Sequence, residues 1–197
     1  MLYEVLEILK NQSAKFLEDK GEGTDLVLLA NGALIDDPNQ NALQDKILLS
    51  LLNIEEEIVL KNKPNTRVEN GITKYKNKAV HLNTYVMFAA NRNGYDKSLL
   101  ALSYILQFFQ GKKVFTQTNT RILADGGKLD HISEFHFTVQ LYTPSFEQLN
   151  YVWGMMGGKS RPCALYKLSI IKVERNVLKG TGPAITEING ELNHILS

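Results

Sequence analysis

The sequence predicts an α+β fold: a mostly antiparallel sheet with flanking helices and a C-terminal arm. Two observations predict it. The strands are short and the helices few for 197 residues. The order along the chain reads helix, strands, helix, strand, helix, strand. Such a pattern places the helices on one side of the sheet. The reading divides the chain into a domain over 1–175, with a polar loop or hairpin at 61–78, and an arm over 176–197.

Residues 2–17 read as a helix, because Leu2, Val5, Leu6 and Leu9 recur at i, i+3, i+4 and i+7 and Phe16 and Leu17 extend that side. Gly21 and Gly23 end it. The run LVLLAN at 26–31 is a short strand, and the Asn-, Asp- and Gly-rich stretch to Asn41, with Pro38, is a surface loop. Residues 46–62 form a long strand. Leu48, Leu52, Ile54, Ile58 and Leu60 share one parity and Glu55 and Glu57 the other, so Glu56 marks a bulge or a strand end. Almost every residue over 61–78 is polar.

A strand follows at 80–91. Leu82, Val86 and Phe88 lie on one face and Tyr85 and Met87 on the other, which implies a central position or an interface. Residues 95–110 carry a helical stripe of Leu99, Leu102, Leu106 and Phe109, stopped by Gly111. The run 132–142 alternates: Phe135, Phe137, Val139 and Leu141 face in, and Glu134, His136, Thr138 and Gln140 face water. A helix spans 143–158, with either Thr143–Pro144 or a Ser145/Gln148 box at its start and Gly157–Gly158 at its end. Its stripe of Phe146, Leu149, Trp153 and Met156 reads as core, so Trp153→Ala should cost roughly 3–5 kcal/mol if Trp153 is buried. A last core strand at 164–173 puts Tyr166, Leu168 and Ile170 on one face. The glycine-rich 176–197 has scattered hydrophobes and packs on something else, either a neighbouring subunit or the same domain as a last strand.

Lys and Arg number 22 and Asp and Glu 21, for a net charge of +1. No broad basic field results, so duplex nucleic acid is not an expected partner. One cysteine, Cys163, excludes an internal disulfide framework and a multi-thiolate metal site. The first residues hold Glu4 and Glu7 and no basic leader, and no run of about 18 apolar residues occurs. The expectation is a chain without a signal peptide and without membrane insertion.

No catalytic constellation stands out. GGKS at 157–160 lacks the first glycine of a phosphate loop, because Trp153 stands there. It reads as a helix C-cap with a lysine near the last carbonyls. His131 and His136 are five apart on a strand and point to opposite faces, and His81 and His194 lie at no ligand spacing. Glu55, Glu56 and Glu57 read as a solvated or intersubunit charged strand end. Asp36 and Asp37 start no calcium pattern. Cys163 reads as a small buried residue. No catalytic, cofactor-binding or metal-binding residue is assigned, and no cofactor is expected.

Several stretches in succession resemble one family: MLYEVLEILK, KILLSLLNIEEEIVLKN, LNTYVMFAAN, YDKSLLALSYILQFFQGKKVFT and SFEQLNYVWGMMGGKSRPCALYKLSII. The most specific positions are Asn53, Glu55, Glu56, Glu57, Phe109, Gln110, Gly111, Phe146, Gln148, Leu149, Trp153, Gly157, Gly158 and Lys159. Together they resemble the cap, or tail-terminator, proteins of extracellular contractile injection systems, over roughly 1–173. The resemblance implies a non-enzymatic structural protein that forms a six-fold ring. It implies inner-tube and contractile-sheath proteins as partners. It implies assembly in the cytoplasm into a particle open to extracellular release. Ile185, Ile188, Leu192 and Ile195 would be contacts of the arm. Two readings stand beside it: a head–tail joining protein of a phage, and a small hydrolytic or ligand-binding enzyme using His136, Glu134 or Cys163.

Overall fold

A computed structural model describes residues 2–59, 66–69, 72–76, 79–121, 129, 135–173 and 178–183. The elements in chain order are α1 (Leu2–Asp19), β1 (Val27–Leu29), β2 (Lys46–Glu56), β3 (Thr66–Glu69), β4 (Ile72–Lys76), β5 (Val80–Asn91), α2 (Tyr95–Gly111), β6 (Val114–Thr116), β7 (His136–Tyr142), α3 (Phe146–Met155), β8 (Cys163–Val173) and β9 (Leu178–Pro183). Six strands form the main sheet in the order β1-β2-β5-β8-β7-β6, and β3-β4-β9 form a second sheet. Only the β1–β2 pair in the main sheet is parallel. The fold class is the one the sequence predicts.

β5 is central, flanked by β2 and β8, and both its faces are covered. Val86 and Phe88 face α1 and α2, where Leu9, Leu17, Ile105, Phe109, Phe137 and Leu168 complete the main core. Met87 and Ala89 face the other way, against Leu149 and Val152 of α3, Met156 at its C-cap, and Leu165. The helices are therefore not all on one side: α3 covers the face opposite α1 and α2. The double-sided burial of β5 requires this, since its two faces are both apolar at those positions.

Aromatic rings dominate the main core. Phe88 lies 5.4 Å from Phe109 and 5.8 Å from Tyr166, and Phe109 lies 4.5 Å from Tyr166. β6 pairs with β7 in a register that sets Phe115 opposite Phe137, and the two rings stack at 5.0 Å. Burial pushes the Tyr166 hydroxyl pKa far above the ordinary phenol range.

α1 ends as its glycines predict. Gly21 takes φ +85°, its N–H bonds to the Glu18 carbonyl, and the Glu22 N–H reaches back to the Leu17 carbonyl. This is a Schellman stop, which needs a residue without Cβ at that position.

Several sequence expectations shift by a residue or a face. On α2 the buried side is Ala101, Ile105, Phe108 and Phe109, while Leu99 and Leu106 are exposed. No charged residue occurs from Ser98 to Gly111, so two adjacent stripes are equally apolar and periodicity cannot rank them. β2 ends at Glu56, but its bulge lies between Leu51 and Asn53. That leaves Ile54 exposed at 43% and Ile58, beyond the strand, at 75%. β8 carries a register break opposite Leu82–Thr84, after which Ile171 takes the core side. Leu141, expected to face in, stands 57% exposed near the end of β7. The surface loop after β1 is anchored, since Ile35 and Leu43 bury against Leu48.

Candidate assembly surfaces

The segment 145–161 is built as a rigid unit on the second face. Of the two starts open to it, the chain uses Ser145. Its Oγ accepts the Gln148 N–H at 3.2 Å, and Gln148 Oε1 accepts the Ser145 N–H at 3.0 Å. Gly157, at φ +89°, and Gly158, whose N–H bonds to the Trp153 carbonyl at 2.8 Å, stop the helix. Lys159 is not spent on the last carbonyls: its Nζ lies 3.1 Å from Asp36 Oδ2. Arg161 donates to the other oxygen of Asp36 and, at 2.8 Å, to Asn91 Oδ1. Asn91 in turn donates to the Leu43 carbonyl at 2.8 Å. Lys159, followed by desolvation in opposition and then Arg161, holds the Asp36 carboxyl below its ordinary pKa. The network fastens the loop after β1 to the end of α3. Asp36 is recognisable in sequence as a turn residue, but its partners sit more than 120 residues away. Ser145→Ala should cost about 1 kcal/mol, the usual loss of a helix cap, read in a denaturant melt.

A cavity of about 20 Å³ lies between this unit and the sheet, lined by Gly32, Met87, Trp153, Met156, Arg161 and Cys163 among others. That volume is room for about one water molecule. A Cβ on Gly32 would stand 2.7 Å from Met156 Sδ, so the loop passes this helix as closely as a glycine permits. Cys163 is half-buried, and burial pushes its thiol pKa up, against an opposing pull from the Trp153 indole. His136 begins β7 and Cys163 begins β8, and the two strands are antiparallel. They stand at opposite ends of the pair and form no nucleophile–base couple. His131, Glu134 and His194 lie outside the described residues. Among the described residues no group of three or more His, Cys, Asp or Glu could hold a metal ion, and no helix is long and apolar enough to cross a membrane.

The acidic run closes the far end of β2. Tyr85 Oη donates to Glu55 Oε2 at 3.2 Å. Glu57 accepts from Asn83 Nδ2 at 2.7 Å and from the Val59 N–H at 3.2 Å, and these bonds, Asn83 first, lower its pKa. Beyond it the polar stretch forms the β3–β4 hairpin, and β9 adds to β4 with Ile72 opposite Pro183. The first part of the 176–197 segment thus lies on the chain's own hairpin. Ile185, Ile188, Leu192 and Ile195 lie outside the described residues.

Among the described residues, apolar side chains face water on several elements. Leu99, Leu100 and Leu106 line the outer side of α2 at 40–44% exposure. Phe146, Tyr151 and Met155 stand out from α3, Phe146 at 88%. Ile54, Ile58 and Val59 occupy the end of β2. Among the resemblance positions, Phe109 is core, while Gln148, Gly157 and Gly158 cap α3. Leu149 packs under that helix and Trp153 is half-buried; Phe146 does not join them as core. Gln110 and Gly111 end α2 exposed, as does Asn53 at the bulge.

Comparison with known proteins places this architecture. A family model described as the Pvc16 N-terminal domain matches residues 4–187. No curated protein matches the chain. Among solved structures, the sheath/tube terminator of an extracellular contractile injection system, PVC, in its extended state aligns over 100% of this chain at TM-score 0.63 and 12% identity. The tube-terminating cap of the anti-feeding prophage aligns over 92% at TM-score 0.57 and 15% identity. The chain spans 65% and 59% of those two proteins' lengths. At these identities the likeness is one of fold.

Proposed function

Because the chain belongs to the Pvc16 N-terminal domain family, we propose that it is a structural cap of a contractile injection system. In this reading it ends growth of the inner tube and joins the last sheath ring to the tube. It acts as a six-fold ring and catalyses no reaction. The observation that carries the proposal is the match of this fold, over 100% of this chain and 65% of the other, to a sheath/tube terminator.

Physical chemistry gives the role its requirements. A polymerising tube offers the same heterologous surface at every step and does not stop by itself. A terminator must match that surface on one side and present no copy of it on the other. The apolar areas on α2, on α3 and at the end of β2 lie on different elements, which suits a part with unlike neighbours. The cap is expected to be recovered with sheath and tube proteins in purified particles, at one end only. Electron microscopy of labelled particles checks this, and intact particles that lack the chain would contradict it.

A further inference from the structure

The cavity beneath the end of α3 has polar groups of one kind. Trp153 and Arg161 both line it, and Trp153 Nε1 and Arg161 Nε are shut off from solvent with no hydrogen-bond partner among the described residues. The indole lies close enough to the Cys163 sulfur to favour its thiolate, which sets Nε1 beside another residue of the cavity wall. The Arg161 guanidinium is held by its two outer nitrogens: Nη1 donates to Asn91 Oδ1 at 2.8 Å and Nη2 to Asp36 Oδ1. Its Nε–H edge is the part left over. Two buried donors without partners are costly, so the pair calls for an acceptor. No side chain of the lining supplies a strong one. The Trp153 indole, Lys159 and Arg161 can only donate, and the Cys163 thiol is a weak acceptor.

Charge and size point the same way. Among the described residues Lys159 and Arg161 share one carboxylate, that of Asp36, so the group carries one excess positive charge. The cavity volume of about 20 Å³ is slightly above the roughly 10–15 Å³ that one water needs. A single-atom ion fits such a space, and a tetrahedral oxyanion does not. A water could accept from the two N–H groups, but its own hydrogens would meet side chains that do not accept them, whereas a halide has none to place. We infer that this cavity is a halide site, suited to chloride, in which the Trp153 Nε1–H and the Arg161 Nε–H converge on the ion and the Cys163 S–H adds a weak third bond. The ion balances the excess charge and ties the end of α3 to the start of β8. The inference concerns the isolated chain and stands apart from the cap reading.

Trp153 is the chain's sole tryptophan, so its indole N–H gives a single resonance that reports on the cavity. The test is a titration of the isotope-labelled chain with sodium chloride, with sodium sulfate at equal ionic strength as the control. Chloride should shift the indole signal saturably, and sulfate should not. Arg161→Lys keeps the charge but removes the Nε–H, and should weaken chloride binding about tenfold. If that variant does not fold, Trp153→Phe decides, because it keeps an aromatic ring and removes the donor. It is read from the broadening of the chloride resonance by the protein, which should be lost. Crystals grown in bromide should show the anomalous signal of that ion in the cavity. The inference is overturned by a shift that grows without saturation, by an equal response to sulfate, or by chloride binding that is unchanged in either variant. A water in the cavity of the bromide-grown crystals would also overturn it, since the site would then be one of hydration.

Discussion

Phe88→Ala is expected to destabilise the chain by about 3–5 kcal/mol, the usual range for deleting a buried phenylalanine ring. Phe88 is fully buried on the central strand and its ring touches those of Phe109 and Tyr166. Both neighbours are themselves held by other core groups, so the cavity cannot collapse easily. For a domain of this size the loss corresponds to roughly 6–20 °C in melting temperature. Trp153→Ala should cost less than the 3–5 kcal/mol that full burial would imply, because Trp153 is only half-buried. Phe146→Ala should leave stability nearly unchanged, because Phe146 is 88% exposed. Thermal melts of the three variants check the order. A Phe146→Ala variant that melts as low as Phe88→Ala would contradict the placement of α3.

Deleting residues 176–197 should leave the main fold standing and abolish normal capping. Among the described residues β9 pairs with β4 in the second sheet and with no strand of the main sheet. The truncated chain should therefore melt within a few degrees of the intact one. Particles assembled with it should show defective ends, because the deletion removes one strand of the second sheet and the whole C-terminal segment. Melting together with particle length separates the two effects. Normal particles would show that the segment has no part in capping, and a collapsed melting temperature would show that it belongs to the main core.

Much of this fold is legible in the sequence, and the failures share a cause. Gly21 and Gly157 are legible, and the Ser145/Gln148 box is one of the two helix starts the sequence offers, because caps are local chemistry within one turn. The two apolar faces of β5 leave a central position or an interface open, and the strand lies centrally between β2 and β8. The stripe on α2 was ambiguous because a helix segment without charges has no marked wet side. The parity of β2 and β8 was lost at bulges, which one extra residue creates and no composition announces. The Asp36–Lys159–Arg161 network was invisible because its partners meet only through tertiary structure. The positions behind the resemblance divide accordingly: those that cap α3 or fill the core have a local reason, while Phe146, Gln110, Glu55 and Glu56 are exposed.

The central claim is that this chain stops a growing tube, and the length distribution of particles tests it most directly. With the gene deleted, electron microscopy should show over-long, ragged or sheathless tubes, and restoring the gene should return a single length. Fully sheathed particles of normal length in the deletion would contradict the cap function outright.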